Sequence, residues 1–186
     1  MINKLLKIGF VALSLVFANS NSSQITILAT TNVHGEVDPC GWKKKPLGGL
    51  ARKATIIENL INSGDNPLVL DAGDLFFKST DIDPGIALDV AKINAKIIND
   101  SFNLMGCDGF SPGSKDFAGG LDFLMSQYEN SKFPYLSCNI AGIDNELLFE
   151  PYVIKSIQNK KIGIIGLASE FESEKVNVLN AIQSLK

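Results

Sequence analysis

Three short stretches hold the residues that could do chemistry together. Asn32 and His34 sit in TTNVHG, Asp74 ends PLVLDAGD, and Ser114 and Lys115 follow the turn-forming GFSPG. His34 is the only histidine in the chain. Amide oxygen, imidazole and carboxylate at the tips of strands form the donor set with which hydrolases hold a divalent cation and activate water. Asp74 also has a plainer role open to it, as an acidic side chain accepting backbone N–H groups of its own loop.

Cys40 raises a separate chemistry. Asp38-Pro39-Cys40-Gly41 reads as an exposed loop and runs into Trp42 and the lysines Lys43, Lys44 and Lys45. A reactive thiol beside those lysines would suit a thiol-redox or metal-carrier protein. An ordinary surface loop with a solvated lysine run explains the same residues. With Cys107 and Cys138 the cysteine count is odd, and the spacings match no zinc motif. Cys107 and Cys138 read as small buried hydrophobes.

The elements that must position these groups follow from periodicity. ITILATTN, residues 25 to 32, reads as a buried strand, and PLVLDAGD, residues 67 to 74, as an inner strand covered on both faces. Between them Leu50, Ala54, Ile57 and Ile61 share one helical face, with Gly64 as a stop signal. A second helix begins near Pro84 and places Ile86, Val90, Ile93 and Ile97 at helical spacing. A short strand with its loop is expected over 107 to 117. A third helix uses Leu121, Leu124 and Tyr128. FPYLSCN, residues 133 to 139, reads as another strand, and VIKSI with KIGIIGL as a hairpin turning at Gln158 to Lys160. Alternating strands and helices give an α/β layered domain, with chemistry beyond the carboxyl ends of the strands.

Composition sets outer bounds. The 186 residues suffice for one domain with its own core, and a net charge of -3 offers no basic face for a nucleic-acid polymer. Residues 1 to 20 follow the three-part grammar of a signal peptide: Lys4 and Lys7, an apolar run, then small polar residues, with cleavage expected near Ala18 to Ser20. The apolar run is short for a membrane span. The expectation is export to the periplasm or the extracellular space, with no integral membrane segment after cleavage.

In order, ITILATTNVHG, PLGGLARKATIIENL, PLVLDAGDLF, GCDGFSPGSKDFAGGLDFL, FPYLSCNI and KIGIIGL resemble the exported 5′-nucleotidase-like metallophosphoesterases of the calcineurin-like superfamily. The resemblance covers residues 25 to 169 and leaves 170 to 186 as a weakly helical tail. It implies a four-layer αββα sandwich, here truncated, and a pair of cations such as Mn, Zn or Mg acting on phosphate esters. It also shows what has changed. Asn32 stands where the family has Asp, Ser114 where it has Asn, and Lys115 where it has the histidine that assists the leaving group; His34 and Asp74 are retained. By this resemblance Lys115, whose protonated amine has three donors and no lone pair, works against metal binding and can instead pair with Asp74, a substitute cation in an anionic pocket. The later histidine motifs have no counterpart. The positions Asn32, His34, Asp74 and Ser114 are then vestigial metal positions, with no metal or a weakly bound divalent one expected. The Cys40 loop resembles a branch of the family with a Cys-Gly-Cys pair, whose second position is Trp42 here. Three functions stay open: a catalytically silent descendant with a small phosphate ester or protein partner, an active phosphomonoesterase on nucleotides, and a thiol protein using Cys40.

Overall fold

A computed structural model describes residues 24 to 41 and 47 to 185. The leader and the Trp42 to Lys45 run lie outside the described residues. Strand β1 (Ile27–Thr30), helix α1 (Leu50–Asn62), strand β2 (Leu68–Asp71), helix α2 (Ile86–Met105) and strand β3 (Gly109–Phe110) form two successive crossovers. Crossovers of that length return the chain in the same direction, so the three strands are parallel, in the order β1-β2-β3. The register pairs Ile27 with Leu68, Thr30 with Asp71, and Asp71 with Phe110. That register aligns the strand ends, so the loops after β1, β2 and β3 emerge side by side.

After β3 come a single 3-10 turn (Ser114–Phe117) and helix α3 (Leu121–Glu129). Strand β4 (Ile140–Gly142) pairs antiparallel with β7 (Val176–Val178), and β5 (Tyr152–Ile157) with β6 (Lys160–Ile165). The β5–β6 hairpin turns as expected, with Gln158 and Asn159 both left-handed (φ 49 and 64), as a tight two-residue turn requires. A short helix α4 (Ala181–Ser184) ends the described chain. The architecture is mixed α/β with a parallel sheet.

The core is aromatic. Phe76, Phe110 and Tyr135 are fully buried, and the Phe110 and Tyr135 rings meet edge to face at 4.7 Å, a geometry their quadrupoles favour. Asn99 accepts the Tyr135 hydroxyl at 3.1 Å, so the one polar atom of that ring is satisfied.

Four expectations change. Strand β1 is not buried: it lies at the sheet edge, and Ile27 is 55 % exposed. Residues 133 to 139 make only single bridges, Phe110 to Tyr135 and Leu136 to Glu150, because Pro134 has no N–H to donate and Ser137 and Asn139 turn the chain. The predicted apolar face of α2 points outward, while Ala95, Ile98 and Phe102 face the core. The tail is not merely helical. Val176 is buried in a strand pair, and Asn139 ties the segment down by donating to the carbonyls of Ala168 (2.8 Å) and Leu179 (3.2 Å).

Two buried carboxyls hold the loops. Asp116 accepts the backbone N–H groups of Asp74, Leu75, Phe76 and Gly113 at 2.8 to 2.9 Å. Asp71 accepts the Thr30 hydroxyl at 2.6 Å and the Gly73 N–H at 3.0 Å. Burial pushes Asp116 up to about 7 and Asp71 up to about 6, and the hydrogen bonds keep both from rising further. In the unfolded chain both release their protons near 4. Between about pH 4 and 7 the folded state therefore binds more protons, and stability falls as pH rises through that window. The urea midpoint is expected to be higher at about pH 5 than at about pH 8; a midpoint rising with pH would contradict the burial of both groups. Replacement Asp116→Ala leaves four N–H groups without their acceptor and should cost roughly 3–5 kcal/mol, read as the shift in that midpoint.

Candidate functional site

The loops after β1 and β2 are joined backbone to backbone. Asn32 N–H donates to Gly73 O at 2.9 Å, His34 N–H to Asp74 O at 2.9 Å, and Gly35 N–H to Leu75 O at 3.0 Å. These bonds hold Asn32, His34 and Asp74 in the left-handed region, with φ of 55, 58 and 54. Each such residue costs of order 1 kcal/mol or more, and persists only where its surroundings leave no alternative. Gly73 takes φ 99, and a Cβ there would meet Ser111 O at 2.6 Å, so the turn expected before Asp74 requires glycine. Gly113 is held for the same spatial reason, its missing Cβ lying 2.5 Å from Asp74 Oδ1.

Lys115 enters from the third loop. Its backbone N–H donates to Asp74 Oδ1 at 3.1 Å, and its Nζ reaches Asp74 Oδ2 at 3.2 Å. The same Nζ lies 2.7 Å from His34 Nε2, and Nε2 lies 3.0 Å from Asn32 Oδ1. A single ring nitrogen faces a donor on one side and an acceptor on the other. The shorter contact and the formal charge favour Lys115 as donor, which places the imidazole proton on Nδ1. Asn32 Nδ2 meanwhile donates to the Thr31 hydroxyl at 3.2 Å. The sequence-predicted residues Asn32, His34, Asp74 and Lys115 are thus brought together, and the ion pair expected between Lys115 and Asp74 is formed.

Ser114 is adjacent but apart. It lines a pocket of about 130 Å³ with Thr31, Gly73, Asp74, Gly113 and Ser169. On the other side of Asn32 and His34 lies a groove of about 730 Å³, along the open edge of β1 and one side of α1. Cys40 borders that groove. Its thiol is exposed and unpaired, and its backbone pairs with Leu47. Cys107 is buried, and burial pushes its thiol up to about 12, which fits the inert role expected of it. Cys138 is buried and free as well.

Three residues beneath the site, Lys53, Thr30 and Asp116, were not legible. Lys53 on α1 donates to Thr30 Oγ1 at 2.7 Å, and Thr30 passes the contact to Asp71. Lys53 Nζ also lies 3.8 Å from the centre of the Phe102 ring, and burial lowers its pKa. No motif marks a lysine inside ARKATII as inward-facing; only its position one turn from Leu50 and Ile57 hinted at it. For Asp116, the neighbouring Lys115 gave no sign that it would be buried.

The donor set does not fit a pair of divalent cations. One amide oxygen, one imidazole nitrogen and one carboxylate surround an ammonium, which supplies the positive charge and blocks the approach of another. Among the described residues, no three of His, Cys, Asp and Glu form a group able to hold a metal ion.

No protein-family profile matches the chain. Rat 5′-nucleotidase is 28% identical over 180 residues, covering 90% of this chain and 30% of that protein. Protein UshA of Salmonella pullorum is 32% identical over 161 residues, covering 83% of this chain and 27% of its own length. Among solved structures, the 5′-nucleotidase precursor of Thermus thermophilus superposes with a TM-score of 0.71 at 22% identity, over 87% of this chain and 33% of that one. The chain spans about a third or less of the length of each. Sequence order, parallel sheet and superposition agree: the chain is homologous to the N-terminal metallophosphatase domain of the 5′-nucleotidase/UshA family and has a calcineurin-like phosphoesterase fold.

Proposed function

We propose that this chain is an exported, catalytically silent member of its family, in which the Lys115 ammonium replaces the cations of a hydrolytic site. The observation that carries this reading is the position of Lys115 Nζ, 2.7 Å from His34 Nε2 and 3.2 Å from Asp74 Oδ2. Metal-dependent hydrolysis needs a cation that polarises the phosphate and lowers the pKa of a bound water. An ammonium does neither: it has no empty coordination position and cannot hold a hydroxide. Its three protons can instead be shared among the imidazole, the carboxylate and a third acceptor. Asn32 fits the same change, since an amide beside an ammonium avoids a second negative charge.

What the arrangement retains is a shaped groove. At about 730 Å³ it falls in the size range of small-molecule sites, and Arg52, Lys53 and Lys78 line it with His34, alongside the acidic Glu36 and Asp38. A small phosphate ester bound without turnover is the ligand class this lining suits. The mixed α/β architecture, a parallel sheet with helices, supports the reading of a four-layer αββα sandwich. Export rests on the leader grammar of residues 1 to 20.

Two measurements test the proposal. With a generic phosphomonoester and added Mn²⁺ or Zn²⁺, turnover is expected to be the same for the chain and for Asp74→Asn; metal-dependent hydrolysis lost on that substitution would sink the silent reading. Replacement Lys115→Ala removes the ion pair to Asp74 and the amine contact to His34, leaving Asp74 with only the residue-115 backbone N–H, and should destabilise by roughly 1–3 kcal/mol. The melting temperature is then expected to fall by several degrees, and an unchanged value would show that Lys115 is not the structural cation.

A further inference from the structure

Helix α2 is apolar on two sides. Ala95, Ile98 and Phe102 face the core, whereas Ile86, Val90, Ile93 and Ile97 form an outer stripe whose members are 43% to 84% exposed. Four large aliphatic side chains in one line are more than an isolated chain ordinarily shows to water. Their spacing of four, three and four residues is the 3.5-residue period of a helix–helix seam. Beside the stripe stand Asp89 and Lys96, both exposed. Neither has a side-chain hydrogen bond or ion pair among the described residues. Asp100 continues the seam one step further and is exposed too.

We propose that this stripe pairs with the same stripe of a second copy of the chain, the two α2 helices running antiparallel about a two-fold axis. The charges select both the direction and the register. In the antiparallel pairing that sets Ile86 beside Ile97 of the second copy, Val90 lies beside its Ile93. Each of the four seam layers formed by residues of both helices is then aliphatic, and Asp100 overhangs the start of the second helix at Ile86. Asp89 falls within one turn of Lys96 of the second copy, and the symmetry makes that ion pair twice. Shifting the antiparallel pair by one heptad buries Asp100 against Val90. A parallel, in-register pair sets Asp100 against Asp100 and leaves Asp89 and Lys96 facing uncharged residues. Both alternatives place a carboxylate in an apolar seam, which is how charge excludes wrong registers. The self-complementary pattern of one acid and one base, seven residues apart, is what favours a second copy over an unrelated helix.

Sedimentation velocity of the full chain, over protein concentrations spanning two decades around the micromolar range, tests this. A monomer–dimer equilibrium is expected, and Ile93→Lys should abolish it while leaving the circular dichroism spectrum unchanged, since Ile93 is solvent-exposed in the single chain. Asp89→Lys alone and Lys96→Asp alone should each weaken the dimer by roughly five- to tenfold. The double variant carrying both changes should recover the original constant to within about twofold. A chain that stays monomeric throughout, or a dimer indifferent to Ile93→Lys, would overturn the proposal. The first result would assign the stripe to another polypeptide segment and the second would place association elsewhere. Dimerisation that Ile93→Lys removes but the charge exchange does not rescue would overturn the antiparallel register.

Discussion

Four backbone N–H groups from two different loops end on one buried carboxyl, that of Asp116. The rest of the site follows from that convergence. It fixes the chain direction at Asp74, Leu75 and Phe76 relative to Gly113, and so decides where Asp74 and Lys115 can meet. The backbone bonds from Asn32, His34 and Gly35 to the β2 loop then complete a frame in which three non-glycine residues are held left-handed. Strain of that kind is ordinarily maintained for a ligand. Here the frame surrounds an ammonium that lies between a carboxylate and an imidazole.

The site is balanced in charge. In a half-buried pocket the Lys115 ammonium offsets the Asp74 carboxylate, and the Asn32 amide beside them adds no charge of its own. The same compensation appears below the site, where Lys53 reaches Asp71 through the Thr30 hydroxyl and rests on the Phe102 ring. Two lysines thus balance two carboxylates on successive levels of the sheet.

Edge strand β1, the outer stripe of α2 and the outward residues Ile154 and Ile165 of the hairpin all present aliphatic side chains to water. Of these, the α2 stripe is flanked by the exposed Asp89 and Lys96.

Much of the layout was legible from local pattern. Apolar runs ended by Asp71 and Asp74, helical spacing after Gly49 and the paired β-rich runs around Gln158 and Asn159 gave the order of elements, since backbone geometry and side-chain period are set within a few residues. Asn32, His34 and Asp74 could also be named, because each ends or follows a strand and parallel strands bring their ends together, whereas Lys115 stood out only through the family resemblance. What the tertiary structure alone decided was which side of each element met the core. Spacing marks a stripe on α2 but does not say whether it turns inward, and Ala95, Ile98 and Phe102 won because they fill the space beside an aromatic cluster. Burial of Asp116, the Lys53 to Asp71 relay and the edge position of β1 were likewise beyond reach. Each depends on contacts between residues some twenty to forty positions apart, which no local pattern records.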